Sequence, residues 1–326
     1  MPLIASPVIA PPKPPPAPPP VVGLPDVGVA TVTYTDPTGK VWPLSDSSAG
    51  WFTRGAGVSG LGAVVYTHTR DAQPRGGALL RHVAAQPRSI VWPLYVYGRD
   101  HMEFVGRWRA LATAFTRTLR PGPDGRPVPG VLTVARPDGT ARRIHVFYDS
   151  GFEGQPKRGA GVVSDNAVIT FWCEDPYWQD TVPVTVRRES AVPLDHQAPY
   201  PTISSGQVLG ATTLDVPGDV VVWPLWRITG PATLITVTRE DTGEAFTIDP
   251  AKVGHGALAA GEQVTVRTDP PQVRGPDGST WSAALDWPGA VLWPLAPGTN
   301  EVTFQLDGAG PGSAVDLEFH PRYETA

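Results

Sequence analysis

The chain of 326 residues is 41% apolar and 17% charged, with a net charge of −5. That is more length than one hydrophobic core usually holds, and too apolar and too weakly charged for a disordered chain. The charge is uneven: residues 1–180 carry 18 Lys and Arg against 14 Asp and Glu, and residues 181–326 carry 8 against 17.

The arginines of the first part are scattered, so no basic stripe for nucleic acid is present. Thirty-five Gly, 39 Pro and 11 Trp against two Met favour short strands joined by tight turns over long helices. Cys173 is the only cysteine, which excludes an intrachain disulfide, and its apolar strand-like surroundings make it an inert core thiol. No run of 18 apolar residues exists, so a transmembrane helix and a membrane partner are not expected. Met1 to Ala10 lacks the layout of a signal peptide, and synthesis in a cytoplasm is expected.

In chain order, residues 1–26 form a leader in which Pro11 to Pro20 reads PPKPPPAPPP, the composition of a polyproline II rod or tether. Order is expected from Val27, with strands over 28–34, 41–44, 64–69 and 89–97. Between Asp100 and Leu119 the residues Phe104, Trp108, Leu111, Phe115 and Leu119 recur on one helical face. Asp100 with Glu103 forms a capping-box signature and Pro121-Gly122 closes the far end, which predicts one helix over 100–119. Strands over 131–135 and 144–148 flank the turn Arg136-Pro137-Asp138-Gly139, and a strand over 167–173 runs into Glu174-Asp175-Pro176-Tyr177-Trp178. A domain boundary is placed near Asp180. From there strands over 182–188, 220–228, 233–238, 263–268, 301–306 and 314–319 alternate with turn clusters and show no helical stripe, the pattern of a sandwich or jelly roll. The fold expected is therefore all-β with one helix: a barrel or sandwich domain over 27–180, then a jelly-roll sandwich over 181–326.

The tripeptide Trp-Pro-Leu occurs at Trp42, Trp92, Trp223 and Trp293 without a fixed period, and its prolines are expected at strand ends, edges or bulges. The seven histidines have no metal-ligand spacing, and no Gly-x-Ser-x-Gly elbow exists, so no metal, cofactor or catalytic residue is assigned. Gly55-Ala56-Gly57-Val58-Ser59-Gly60 spells a dinucleotide-binding pattern but follows Trp51-Phe52-Thr53-Arg54 and runs into Leu61-Gly62, which reads as a turn-rich loop. Trp281 and Trp287 are candidates for stacking on a sugar ring, with burial in the sandwich core or a subunit seam as the competing reading.

The single-helix β domain ending in Phe171-Trp172-Cys173-Glu174-Asp175-Pro176-Tyr177-Trp178 resembles the ring-forming domain of the distal tail proteins of long-tailed phages. Trp226-Arg227-Ile228-Thr229-Gly230-Pro231-Ala232, the stretch Leu295 to Val302 and the final His320-Pro321-Arg322-Tyr323 are similar to the galectin-like second domain of that family. The resemblance covers about residues 27–326. It implies a non-enzymatic hub at the virion tail tip, made in the bacterial host cytoplasm. A homo-hexameric ring would join the tail tube and tape-measure protein to tip or receptor-binding proteins, and DNA would pass through the lumen unread. The competing reading is a carbohydrate-binding β-sandwich on a tail or cell surface; a wall hydrolase has no motif behind it.

Overall fold

The computed structural model describes residues 30–153, 162–190 and 208–326. The proline leader and the expected onset of order at Val27 lie outside these residues. The first lobe holds β1 (Thr31–Thr35), β2 (Val41–Pro43), β3 (Trp51–Thr53), β4 (Tyr66–Ala72), β5 (Ala78–Ala85), β6 (Arg88–Tyr97), helix α1 (His101–Thr116), β7 (Gly130–Ala135), β8 (Ala141–Gly151), β9 (Ser164–Cys173) and β10 (Trp178–Asp180).

All pairings are antiparallel, and the main ladder runs β2-β1-β7-β8-β9-β6-β3. Its two ends are drawn together by one residue. The Leu44 N–H donates to Val32 O and the Leu44 carbonyl accepts from the Thr53 N–H, both at 2.8 Å, so the sheet curls into a nearly closed barrel. Alternation decides what fills it: Ile90, Trp92, Leu94 and Val96 from β6 and Ala167, Ile169, Phe171 and Cys173 from β9 all point inward. Pro43 ends β2 as expected, whereas Pro93 sits in the middle of β6. The Pro93 carbonyl accepts from Arg54, just past the end of β3. The donor that Pro93 lacks is therefore missed only at the last rung of the β3 ladder, and the pairing with β9 runs on through it.

Helix α1 plugs one side of the barrel with Phe104, Trp108, Leu111 and Phe115 buried. The Phe115 ring lies 4.9 Å from Tyr34 and 5.5 Å from Phe171, and the Tyr34 hydroxyl donates to Ala114 O at 3.1 Å. Asp100 caps the helix by accepting the Glu103 N–H at 2.8 Å, and the Glu103 carboxylate reaches back to the Arg99 N–H at 2.7 Å. The expected helix over 100–119 is corrected at its far end: α1 stops at Thr116 and Arg117–Leu119 forms a 3-10 turn. That tighter winding rotates Leu119 off the apolar stripe, and it is 54% exposed. Thr118 is buried instead; its hydroxyl donates to Phe115 O and accepts the Tyr148 N–H, each at 2.9 Å.

The second lobe is a two-sheet sandwich of β11 (Val184–Glu189), β12 (Val208–Val216), β13 (Leu225–Thr229), β14 (Leu234–Arg239), β15 (Ala245–Ile248), β16 (Gln263–Arg267), β17 (Gln272–Arg274), β18 (Gly298–Asp307) and β19 (Ala314–Phe319). One sheet runs β11-β19-β13-β16-β17 and the other β12-β18-β14-β15. Trp226 is the centre of its core, with Trp293, Phe304 and Phe246 at 5.3, 5.9 and 6.0 Å. The chain then does something its strand pattern does not announce: β20 (Arg322–Tyr323) leaves the sandwich and pairs with β10. The last residues of the chain thus pair beside the barrel strands.

Arg88 fastens that return. It is only 6% exposed, and its guanidinium donates to four carbonyls at 2.6 Å: Pro176, Gly60, Gly62 and Glu324. Gly60 is required for the close approach, since its φ is +87° and a Cβ there would lie 2.2 Å from Ser89 O. Replacing Arg88 with Met removes the charge and leaves four inward carbonyls without a donor. We expect a loss of about 3 kcal/mol in urea unfolding and faster hydrogen exchange at the Ala326 amide, which donates to Leu61 O. Unchanged exchange there would show that Arg88 does not hold the terminus.

Candidate functional site

The Asp175-Pro176-Tyr177-Trp178 stretch and the His320-Pro321-Arg322-Tyr323 stretch lie some 140 positions apart in sequence and meet at the junction of the two lobes. Arg322 donates to the Asp175 carboxylate at 2.6 Å and to Val221 O at 3.1 Å, and its guanidinium stands 4.8 Å from the Tyr177 ring. Tyr323 lies under the Arg142 guanidinium at 3.5 Å and its hydroxyl donates to Asp180 at 3.0 Å. The sandwich side closes on the same segment: the Asp219 N–H donates to Arg322 O, and the Asp219 carboxylate accepts the Glu324 N–H. Gly218, with φ +117°, brings the chain so near Arg322 O that a Cβ would sit 2.5 Å away. Tyr66, the first residue of β4, donates to the Glu324 carboxylate at 2.7 Å and stands 3.3 Å from the Tyr177 hydroxyl. One seam therefore holds barrel, sandwich and the root of the β4–β5 hairpin.

His320 sits at the edge of this seam among its carboxylates and arginines. Its Nδ1 lies 2.9 Å from Asp180 O, and Arg143 donates to its Nε2 at 3.2 Å. The ring is thereby held neutral with its proton on Nδ1. Burial, and then the Arg143 charge, hold its pKa below the usual histidine value, against the opposing pull of the Asp180 carbonyl and of Glu318 and Asp180 as charges.

Around the seam the barrel presents three uncovered surfaces. The first is the β4–β5 ribbon, which pairs with no third strand among the described residues and leaves Leu79, Leu80 and Val83 between 41% and 51% exposed. The second is a rank of half-buried rings on the outer face of the barrel edge, where Phe52 of β3 lies 5.3 Å from Tyr95 and 6.5 Å from Tyr97 of β6. The third is a cleft of about 470 Å³ beside the paired β8 and β9, built around Phe147 and Trp172.

Among the described residues no cluster of three His, Cys, Asp or Glu stands ready for a metal. Cys173 is buried and its thiol is pushed up to about 12, chiefly by burial. The Gly55–Gly60 stretch is a loop laid against β6, with Ser59 bridging Val91. The two tryptophans considered for sugar stacking part ways. Trp281 is 4% exposed within the sandwich core and offers no face to a ligand, because its indole packs beside Gly275 and His255. Trp287 is 60% exposed, with its indole N–H donated to Ser282 O at 2.9 Å. The ribbon, the ring rank and the Arg88 node were not assigned from sequence. Among the described residues no helix is long and apolar enough to cross a membrane.

No family model and no curated protein sequence matches the chain. Solved structures do match in fold. The SPP1 Dit protein (gp 19.1), described as a paradigm of the hub adsorption apparatus in phages infecting Gram-positive hosts, aligns over 90% of this chain and 99% of its own, at 14% identity and a TM-score of 0.61. A chain of the phage P2 baseplate in its activated conformation with calcium aligns over 91% of this chain and all of its own, at 11% identity and a TM-score of 0.52. The strontium form gives the same TM-score over 92% of this chain. The resemblance to phage tail hub proteins read from the sequence thus holds at the level of the fold.

The seam makes a pH dependence of known sign. Because the folded state holds the His320 pKa down, the unfolded state takes up the proton first. The stability contributed is complete above the ordinary histidine value of 6.5 and falls as the pH drops below it. Exchange at the Asp180 amide, which donates to Pro321 O, should therefore quicken between about pH 7.5 and about pH 5.5 once intrinsic rates are corrected. His320→Gln should flatten that dependence; an unchanged profile would remove His320 from the seam.

Proposed function

We propose that this chain is a structural hub of a phage-type tail tip. Its barrels close into a homo-hexameric ring with the sandwiches projecting outward. One face of the ring takes the tail tube and the tape-measure end, and the other takes tip or receptor-binding proteins. DNA passes the lumen without being read. The protein is placed at the virion tail tip after synthesis in the host cytoplasm, and no catalytic role or cofactor belongs to this reading.

The observation that carries it is the pair of unlike surfaces on one barrel. A two-stranded ribbon with exposed Leu79, Leu80 and Val83 is not stable alone in water and needs a cover. The Phe52–Tyr95–Tyr97 rank is an aromatic surface of the kind enriched in interface cores. Because the two differ, the contact of one copy with the next is heterologous, and such contacts make rings when the rotation closes. The hub proteins that share the fold support the same reading.

Six copies of the 34.7 kDa chain come to about 208 kDa. Sedimentation equilibrium should find a species of that mass. The double variant Leu80→Glu with Val83→Glu, which disturbs only exposed positions, should run as a folded monomer with unchanged thermal unfolding of the sandwich. A double variant that still forms the large species would take the ribbon out of the interface. The second reading, a glycan contact on the sandwich, now rests on Trp287 alone, whose ring is pinned at one edge and open to solvent. A glycan array should then show binding that Trp287→Ala abolishes; an array without binding ends that reading.

A further inference from the structure

Helix α1 and the turn that joins β1 to β2 enclose a further cleft of about 320 Å³, lined by three cations: Lys40 from the turn, and Arg109 and Arg117 from the helix side. Arg109, Thr113 and Arg117 follow at four-residue steps, so they stand in a row along one side of the helix, about 6 Å per step. Arg99 and Arg107 are both paired with Glu103. Among the described residues Lys40, Arg109 and Arg117 are in no ion pair, and the Thr113 hydroxyl has no hydrogen-bond partner. The carboxylate lining the cleft is Asp36, which is buried and spent on its own turn. It accepts from the Thr38 N–H at 2.8 Å, the Thr38 hydroxyl, the Lys40 N–H at 3.3 Å and the Trp42 indole N–H at 3.1 Å. The cleft thus sets three positive charges against one negative charge. Arg117 follows the last residue of α1, where a cation also favours the helix dipole, but that accounts for neither Arg109 in mid-helix nor Lys40.

We propose that this cleft docks an extended acidic segment of another protein, with carboxylates at alternate residues. On an extended strand alternate side chains share one face and stand about 6.7 Å apart, close to the step of the Arg109–Thr113–Arg117 row. The two guanidinium forks each take one carboxylate. Thr113 offers a hydroxyl to the position between them, and Lys40 faces the segment from the opposite wall as a point charge. Nucleic acid fits this cleft less well. A single strand is gripped by bases stacked on exposed rings, and a duplex needs a longer basic stripe. The ring here, Trp42, is 6% exposed, with Lys40 over it at 3.9 Å and its N–H committed to Asp36. The segment is not one of this chain's own. Acidic residues two apart occur in its sequence only in Asp316-Leu317-Glu318. There Asp316 is paired with Arg187 and Glu318 with Arg227, in a strand flanked on both sides. The cleft is complete within one copy and shares no residue with the ribbon or the aromatic rank, so the inference does not rest on ring formation.

The test is fluorescence anisotropy of a labelled, end-capped peptide of alternating Glu and Thr, titrated with the full-length protein at low salt, where exposed charges are least screened. The peptide should bind, and a peptide of equal charge with Glu at every third residue, whose successive carboxylates fall on opposite faces, should bind about tenfold more weakly. Arg109→Ser with Arg117→Ser should lower the affinity for the alternating peptide about tenfold as well. Arg109→Lys with Arg117→Lys keeps the charge while removing the forks, and its affinity should fall between the two. The inference is overturned if the alternating peptide does not bind, if the two peptides bind alike, or if both variants bind as tightly as the unaltered protein. It is equally overturned if an oligothymidylate of the same charge binds more tightly than the peptide, which would make the cleft a phosphate site.

Discussion

The buried guanidinium of Arg88 gathers the Gly60–Gly62 loop, the Pro176 turn and the last residues of the chain at one point. A cation removed from water is costly unless dipoles replace its hydration, and here four carbonyls do so at 2.6 Å. Those carbonyls come from three places: the Gly60–Gly62 loop, the Pro176 turn and Glu324 near the chain's last residues. Because a guanidinium is planar and rigid, the three segments are fixed in direction as well as in distance. Tyr66 and Tyr177 then join the same patch through Glu324, so the root of the β4–β5 ribbon is aimed by the contact that anchors the terminus.

Rigidity at the seam is what gives the uncovered surfaces a use. A ribbon that swung freely could not meet an aromatic rank on a neighbour in one orientation, and a ring requires every copy to repeat the same rotation. The sandwich is tied in by Arg322, which reaches Asp175 on the barrel and Val221 on the sandwich, so its direction from the barrel is set by the same few residues. The mildly basic first part and the acidic second part keep the net charge small while biasing the sandwich negative.

Much of this was legible in the sequence. The helix showed itself through Phe104, Trp108, Leu111 and Phe115 because a buried face must repeat with the helical period. The strands of both lobes followed from alternation and turn chemistry, and the Asp-Pro-Tyr and His-Pro-Arg-Tyr motifs that suggested the family are the two halves of the seam. What was hidden depends on distance in sequence or on the absence of burial. Of the ribbon, the strand expected over 64–69 falls on β4, whereas β5, with most of its residues in solvent, shows no clean apolar alternation to detect. Arg88 looks like any surface arginine until three remote backbones are folded around it. Leu119 fits the helical period, yet Thr118 takes up the Phe115 carbonyl and tightens the last turn. Trp281 and Trp287 stand six residues apart and have opposite fates, Trp281 packed against Gly275 and Trp287 left in solvent.

The most direct measurement is electron microscopy of the purified full-length protein, with class averages taken across a range of concentrations. Closed rings with the barrels at the inner wall and the sandwiches outside are the predicted result. Single two-lobed particles at every concentration, or open filaments that never close, would contradict the hub.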